Sequence, residues 1–327
     1  MYKIAKEKLT DIHQLIAEHQ ALYLADQLNG RPAKHVFFPQ DETLYTTKTE
    51  QGNLSIHPED LQDEDFVLFG ARACDVKGME ILDEVYLTDP VDSYYAARRK
   101  HGTIVTLSCH EPEETCFCQA FEIDPIDPTG DVIIWESGAT LFWKAGTPKG
   151  EVLTKVVMPL LEEADASDEE QLVQHKQALE ALMKRLPYAD LSLDGWPGDD
   201  LMEKFDSELW EELHRACLAC GTCTYTCPTC QCYDIKDNHA GCHVKRYRCW
   251  DSCMYSDFTL MAHGNNRTTQ MQRFRQRFMH KLVYFPNNHE GTFSCVGCGQ
   301  CVAKCPSGLN IVKVIKAFAQ QGSESHE

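Results

Sequence analysis

Apolar residues recur at helical spacing over Lys3–Tyr23, where Ile4, Leu9, Ile12, Leu15 and Ile16 predict an amphipathic helix. Farther along, Phe66–Phe69, Thr103–Leu107, Val132–Trp135 and Thr140–Trp143 are short, partly β-branched runs bounded by Gly, Asp or Pro, and they predict strands. Ser167 followed by Glu170 reads as a capping box opening a helix through about Leu186. Tyr188–Asp200, with Pro197, two glycines and several aspartates, predicts a linker. A helix from about Leu201 to His214 and a closing helix over Leu309–Phe318 complete the pattern. The expected architecture is an α+β N-terminal domain over residues 1–200, followed by a mostly α-helical domain over 201–327.

Composition changes this picture at one point. The chain of 327 residues carries 17 cysteines. Its N-terminus has no apolar stretch behind a basic start, so no signal peptide is expected, and no run of about 18 apolar residues suggests a membrane span. The expected location is the cytoplasm, where thiols stay reduced and such density points to metal binding or redox chemistry. The formal net charge of −19 argues against nucleic acid as a partner.

Cys217, Cys220, Cys223 and Cys227, followed by Pro228, have the spacing C-x2-C-x2-C-x3-C-P, and Cys295, Cys298, Cys301, Cys305 and Pro306 repeat it. Three cysteines two residues apart wrap one iron–sulfur cubane, and the fourth leaves toward the other cluster. The spacing therefore predicts a dicluster, ferredoxin-like C-terminal domain. One [4Fe–4S] cluster would sit on Cys217, Cys220, Cys223 and Cys305, and a second on Cys295, Cys298, Cys301 and Cys227. Structural zinc needs only four ligands and gives no reason for the third cysteine at the same interval. Residues 228–294 between the motifs are too many for the hairpin connection of a minimal bacterial ferredoxin, so a helical dicluster fold is preferred.

This insert is basic. Lys245, Arg246, Arg248, Arg267, Arg273, Arg275, Arg277 and Lys281 face only Asp251 and Asp257 between Ala240 and Phe285. Such charges offset anionic clusters and pair with carboxylates, or dock an acidic partner. Cys230, Cys232, Cys242, Cys249 and Cys253 also lie here; most of them read as small buried residues lining the cluster envelope, and Cys242 and Cys249 receive no role. Cys223, Cys227 and Cys230 spell the radical-SAM triad, but the ferredoxin pattern already uses two of them. Cys249 and Cys253 form only half of a sirohaem-type pattern.

The N-terminal part holds four cysteines: Cys74 after the strand at Phe66–Phe69, and Cys109, Cys116 and Cys118 after the strand at Thr103–Leu107. Four is the number one cubane needs, and neighbouring strands would bring their loops to one end. A third [4Fe–4S] cluster is the expectation; zinc or isolated buried thiols are the alternatives. No dinucleotide fingerprint, P-loop or metalloprotease motif is present, and His263 and His280 read as ordinary surface or core residues. No catalytic residue is therefore expected. The reading is an electron carrier between other subunits, against a self-sufficient cluster or sirohaem enzyme, or a zinc-bound scaffold without redox role.

FGARACD (Phe69–Asp75), SCHEPEETCFC (Ser108–Cys118), CLACGTCTYTCPTCQCYDI (Cys217–Ile235), RCWDSCMYSDFTLMAHG (Arg248–Gly264), RFRQRFMHKL (Arg273–Leu282) and CVGCGQCVAKCP (Cys295–Pro306) resemble the A subunit of anaerobic sulfite reductase and the beta subunit of soluble sulfhydrogenases. The resemblance implies an electron-transfer subunit beside a reductase subunit that binds flavin (FAD) and NAD(P), with a catalytic subunit of sulfite reductase or hydrogenase type. A flavin-based electron-bifurcating transhydrogenase is the other assembly it allows. It also implies cluster roles for Cys74, Cys109, Cys116 and Cys118.

Overall fold

Val67 and Phe69 point into one core while Phe66 and Leu68 point into another, so the strand they share is buried on both faces. That explains its unbroken apolar run, because a parallel strand covered on both sides has no polar face to show. In the computed structural model, which describes residues 1–198 and 201–324, this strand is the fifth of the chain.

The strands are β1 (Tyr2–Ala5), β2 (Ala21–Leu24), β3 (Asp41–Glu50), β4 (Asn53–Pro58), β5 (Phe66–Ala71), β6 (Gly102–Leu107), β7 (Val132–Ser137), β8 (Thr140–Ala145), β9 (Glu162–Glu163), β10 (Tyr233–Ala240), β11 (His243–Trp250) and the short pair β12 (Leu260–Met261) and β13 (Gly264–Asn265). Seven form one mixed sheet in the order β2-β5-β6-β7-β8-β1-β9. The run from β2 to β7 is parallel and the rest antiparallel. The first five helices are α1 (Leu9–Ala17), α2 (Ala73–Tyr86), α3 (Ser93–His101), α4 (Pro148–Val157) and α5 (Ala166–Met183). The C-terminal part adds α6 (Leu201–Phe205), α7 (Leu209–Leu213), α8 (Thr222–Tyr225), α9 (Gln270–Met279), α10 (Phe285–Asn288), α11 (Gln300–Ala303) and α12 (Ile311–Glu324). A π-helical turn, His280–Tyr284, joins α9 to α10.

Several expectations need correction. The helix expected over Lys3–Tyr23 is confined to α1; its two ends are strands, because Ile4 is buried by pairing with β8 and Leu22 lies beside Val67 in β5. The cap of α5 is Asp165, which accepts from Ser167 and Asp168 while Asp168 reciprocates, and the helix ends at Met183. The helix expected over Leu201–His214 is broken into α6 and α7. The closing helix starts at Ile311, where the Asn310 side chain accepts from the amides of Val312 and Lys313. The segment read as a linker is packed, with Leu191 and Trp196 in the core beside Trp210; its end, Asp199–Asp200, lies outside the described residues.

The largest departure from the expected mostly α-helical C-terminal domain is the insert, which holds strands as well as helices. Its strands β10 and β11 form a hairpin that pairs with β3 and continues the order β10-β11-β3-β4, so the C-terminal half adds to a sheet begun in the N-terminal half. Trp250 at the end of β11 enters the N-terminal core and stacks on Phe38 at 6.0 Å. Arg248 binds Glu42 at 2.5 Å and also contacts Asp92, all with little solvent exposure.

Candidate iron–sulfur sites

The two cysteine motifs each turn on a glycine with left-handed backbone. Gly221 (φ 75°) opens α8 and Gly299 (φ 74°) opens α11, and at these angles a side chain would be strained. The resulting loops interlock. Cys217, Cys220 and Cys223 of the first motif line one cavity together with Cys305 of the second, against Met254, Phe274, Arg277 and Leu309. Cys295, Cys298 and Cys301 of the second motif line another together with Cys227 of the first, against Phe117, Arg277, Lys281 and Ile311. No carboxylate lines either one.

A third cysteine set lies at the carboxyl ends of the parallel strands, where open α/β sheets place their ligands. Strands β5 and β6 are hydrogen-bonded parallel neighbours, so the segments following them leave at the same end. Cys74 in the first turn of α2 and Cys109, Cys116 and Cys118 beyond β6 line one cavity of about 400 Å³. Arg72, Asp75 and His13 share its wall. The cavity is closed on another side by Pro228, Gly297 and Cys298 from the two motifs.

The three cavities follow one another. Arg277 lines both motif cavities, and Cys298 lines both the second of these and the N-terminal one. The cavity of Cys227, Cys295, Cys298 and Cys301 is therefore the middle of the series.

Three or more side chains of His, Cys, Asp or Glu close enough to share a single metal ion do not occur among the described residues. A cubane makes a different demand, because it spreads its ligands over four irons. Four soft thiolates per cavity are the donor set that suits it, in apolar surroundings crossed by cations at the two motif cavities and with Asp26, Arg72 and Asp75 in the wall of the N-terminal one.

The electrostatics of the motif cavities are set by buried cations, Lys34, Arg277 and Lys281. Lys281, in the π-helical turn, is 3% exposed and donates to the Cys227 sulfur at 3.4 Å, to Thr229 Oγ1 at 2.8 Å and to the Ser294 carbonyl at 2.8 Å. Burial alone would discharge its ammonium; the thiolates of Cys227, Cys230 and Cys295 outweigh that and raise its pKa. In return the Cys227 thiol is held well below its ordinary value, first by a hydrogen bond from Cys230 and then by Lys281, against the cost of burial. In the N-terminal set burial dominates, pushing the Cys118 thiol up to about 12.

Arg277 and Lys281 were legible only as members of a basic run. Their spacing carried more: Phe274, Arg277, Phe278 and Lys281 share one face of a helix, which places two cations on its apolar side. Lys34 was missed altogether. It is buried, donates to the Cys230 carbonyl and lies 4.2 Å over the Trp250 ring. Of the five unassigned cysteines, Cys230 touches Cys227 and Cys232 touches Cys253, whereas Cys242 is exposed at the hairpin turn. None of the five lines the three cavities described.

Among the described residues no helix is long and apolar enough to cross a membrane. Residues 216–309 match the model of the 4Fe-4S dicluster domain family. Sulfhydrogenase 2 subunit beta of Pyrococcus furiosus is 35% identical over 286 residues, covering 87% of this chain and 81% of that protein. No solved structure matches the chain. With that identity over most of both sequences, and a dicluster domain spanning both cysteine motifs, the chain belongs to the sulfhydrogenase beta subunit family.

Proposed function

We propose that the chain is an electron-transfer subunit holding three [4Fe–4S] clusters in series. The first is on Cys217, Cys220, Cys223 and Cys305; the second, in the middle, is on Cys227, Cys295, Cys298 and Cys301; the third is on Cys74, Cys109, Cys116 and Cys118. The single observation that carries this reading is the succession of three four-cysteine cavities, each sharing one lining residue with the next. Such clusters supply one-electron chemistry, and the protein supplies thiolates, apolar surroundings and fixed charges. In this reading residues 1–200 carry the third cluster and residues 201–327 the other two.

The ends of the series differ. At one end Cys220 is exposed beside Leu218, which is 69% exposed, so the first cluster lies next to a surface a partner can cover. The partners we infer are a reductase subunit with FAD and NAD(P) and a catalytic subunit of hydrogenase or sulfite reductase type, working in the cytoplasm. The relative's name identifies it as one subunit of a sulfhydrogenase, which supports a multi-subunit setting.

Purifying the tagged chain without oxygen from its native cells tests this. The expected result is recovery of a flavoprotein partner, with NAD(P)H bleaching the cluster absorbance of the assembly but not of the isolated chain. A second reading, in which this chain itself reduces a small substrate, is favoured by the roominess of the N-terminal cavity. Turnover of a small acceptor by the isolated, chemically reduced chain would replace the relay with that reading.

A further inference from the structure

Arg277 has no carboxylate partner among the described residues, although it is only 3% exposed. The other buried arginine, Arg248, is held by Glu42 and Asp92. Arg277 donates one long bond, from Nη2 to the Cys223 carbonyl at 3.5 Å, and its Nε is buried with no hydrogen-bond partner in the protein. The Phe278 ring on the same helix lies 4.6 Å from its guanidinium carbon.

A buried, unpaired cation is costly, and an orphaned buried donor calls for an acceptor that the polypeptide does not supply. Both requirements meet in the same place, because Arg277 lines the cavity of Cys217, Cys220, Cys223 and Cys305 and also that of Cys227, Cys295, Cys298 and Cys301. The two sulfurs that act most strongly on it come one from each, Cys223 on one side and Cys301 on the other, followed by Cys230, which lines neither, and Cys227.

We propose that Arg277 is an electrostatic bridge between the first and middle clusters, one guanidinium that holds both in a more easily reduced state. The inference rests on the cluster reading above. A cluster gains a negative charge on reduction, so a fixed positive charge between two of them favours the reduced form of each. Any change at this one side chain therefore reaches both midpoints. Lys281 differs, since it lines the middle cavity alone.

The test is a redox titration of the intact, cluster-loaded chain followed by electron paramagnetic resonance, comparing wild type with Arg277→Met, Arg277→Lys and Lys281→Met. In Arg277→Met both the first and middle midpoints should fall, each by about tenfold or more in the reduction equilibrium, or about 59 mV for one electron. Arg277→Lys should restore most of both shifts, and Lys281→Met should move the middle midpoint only. Unchanged midpoints in Arg277→Met at full iron content, or a shift in one cluster alone, overturn the proposal. If Arg277→Met loses iron while Arg277→Lys keeps it, the demand for charge stands; loss of iron from both assigns Arg277 a role in shape and overturns it. Wild-type protein without iron sinks the cluster reading itself, which the same samples reveal before any titration.

Discussion

The Cys116 thiol faces the carbonyl oxygen of Cys298 at 4.0 Å, across 182 positions of sequence. Beside it the Phe117 amide donates to the Gly297 carbonyl at 2.8 Å. The loop carrying three of the N-terminal thiols is thus clamped against the second cysteine motif, which brings the third cysteine set to the edge of the middle one. For an electron carrier, that contact decides whether the N-terminal cysteines belong to the path.

Gly297 makes the clamp. Its φ is +56°, and a Cβ there would lie 2.4 Å from the Phe117 carbonyl oxygen and 2.6 Å from the Cys118 nitrogen. Gly297→Ala should therefore cost more than about 2 kcal/mol. At Gly241 (φ +61°) nothing lies within 4 Å, so Gly241→Ala should cost only the backbone penalty of about 1 kcal/mol. Anaerobic denaturant midpoints of the two variants compare them directly, and equal losses would contradict the clamp.

Arg248 ties the hairpin of the insert to the N-terminal half through Glu42 and Asp92. Arg248→Ala leaves Asp92 without its cation and Glu42 with Arg98 alone, and should destabilise the chain by about 2–3 kcal/mol. Because Arg248 lines none of the cysteine cavities, the iron bound per folded chain should not change. A thermal melt with parallel iron analysis checks both halves of this expectation.

Burial, helped by the charges of Lys281 and Arg267, lowers the His280 pKa to about 4. Between pH 6.5 and 4 the unfolded chain binds a proton at this position that the folded chain refuses, so this contribution to stability is present above pH 6.5 and falls with pH through that window. The loss is at most about 3 kcal/mol. His280→Gln should flatten the slope of unfolding free energy between pH 6.5 and 5; an unchanged slope would contradict the assignment.

Cys298 and Cys230 should behave differently as serine variants. Cys298 lines the middle cavity and Cys230 lines none of the three, although it touches Cys227. Cys298→Ser should lose about 4 iron atoms per chain, and Cys230→Ser should retain the wild-type content. Equal losses would mean that Cys230 is itself a ligand.

Strands β5 to β8 were legible because their apolar runs are short and bounded. The ends of α1 were not, because Ile4 and Leu22 continue the helical spacing while strand pairing decides their conformation. Strand β10 gave no signal at all: every residue from Tyr233 to Ala240 is exposed, and its order comes from pairing with β11. At the sites, spacing reveals which cysteines form a motif. It does not reveal that Cys298 faces two cavities or that Arg277 stands between two, since both relationships join residues distant in sequence. Lys34 illustrates the limit, because a lone lysine carries no mark of burial until Trp250 packs over it.

Iron and acid-labile sulfide counted on the intact chain, purified without oxygen, test the account most directly. Three cubanes predict about 12 iron and about 12 sulfide per chain, falling to about 8 of each in Cys109→Ser. A wild-type count of about 8, unchanged in that variant, would remove the N-terminal cysteines from the electron path and contradict a series of three.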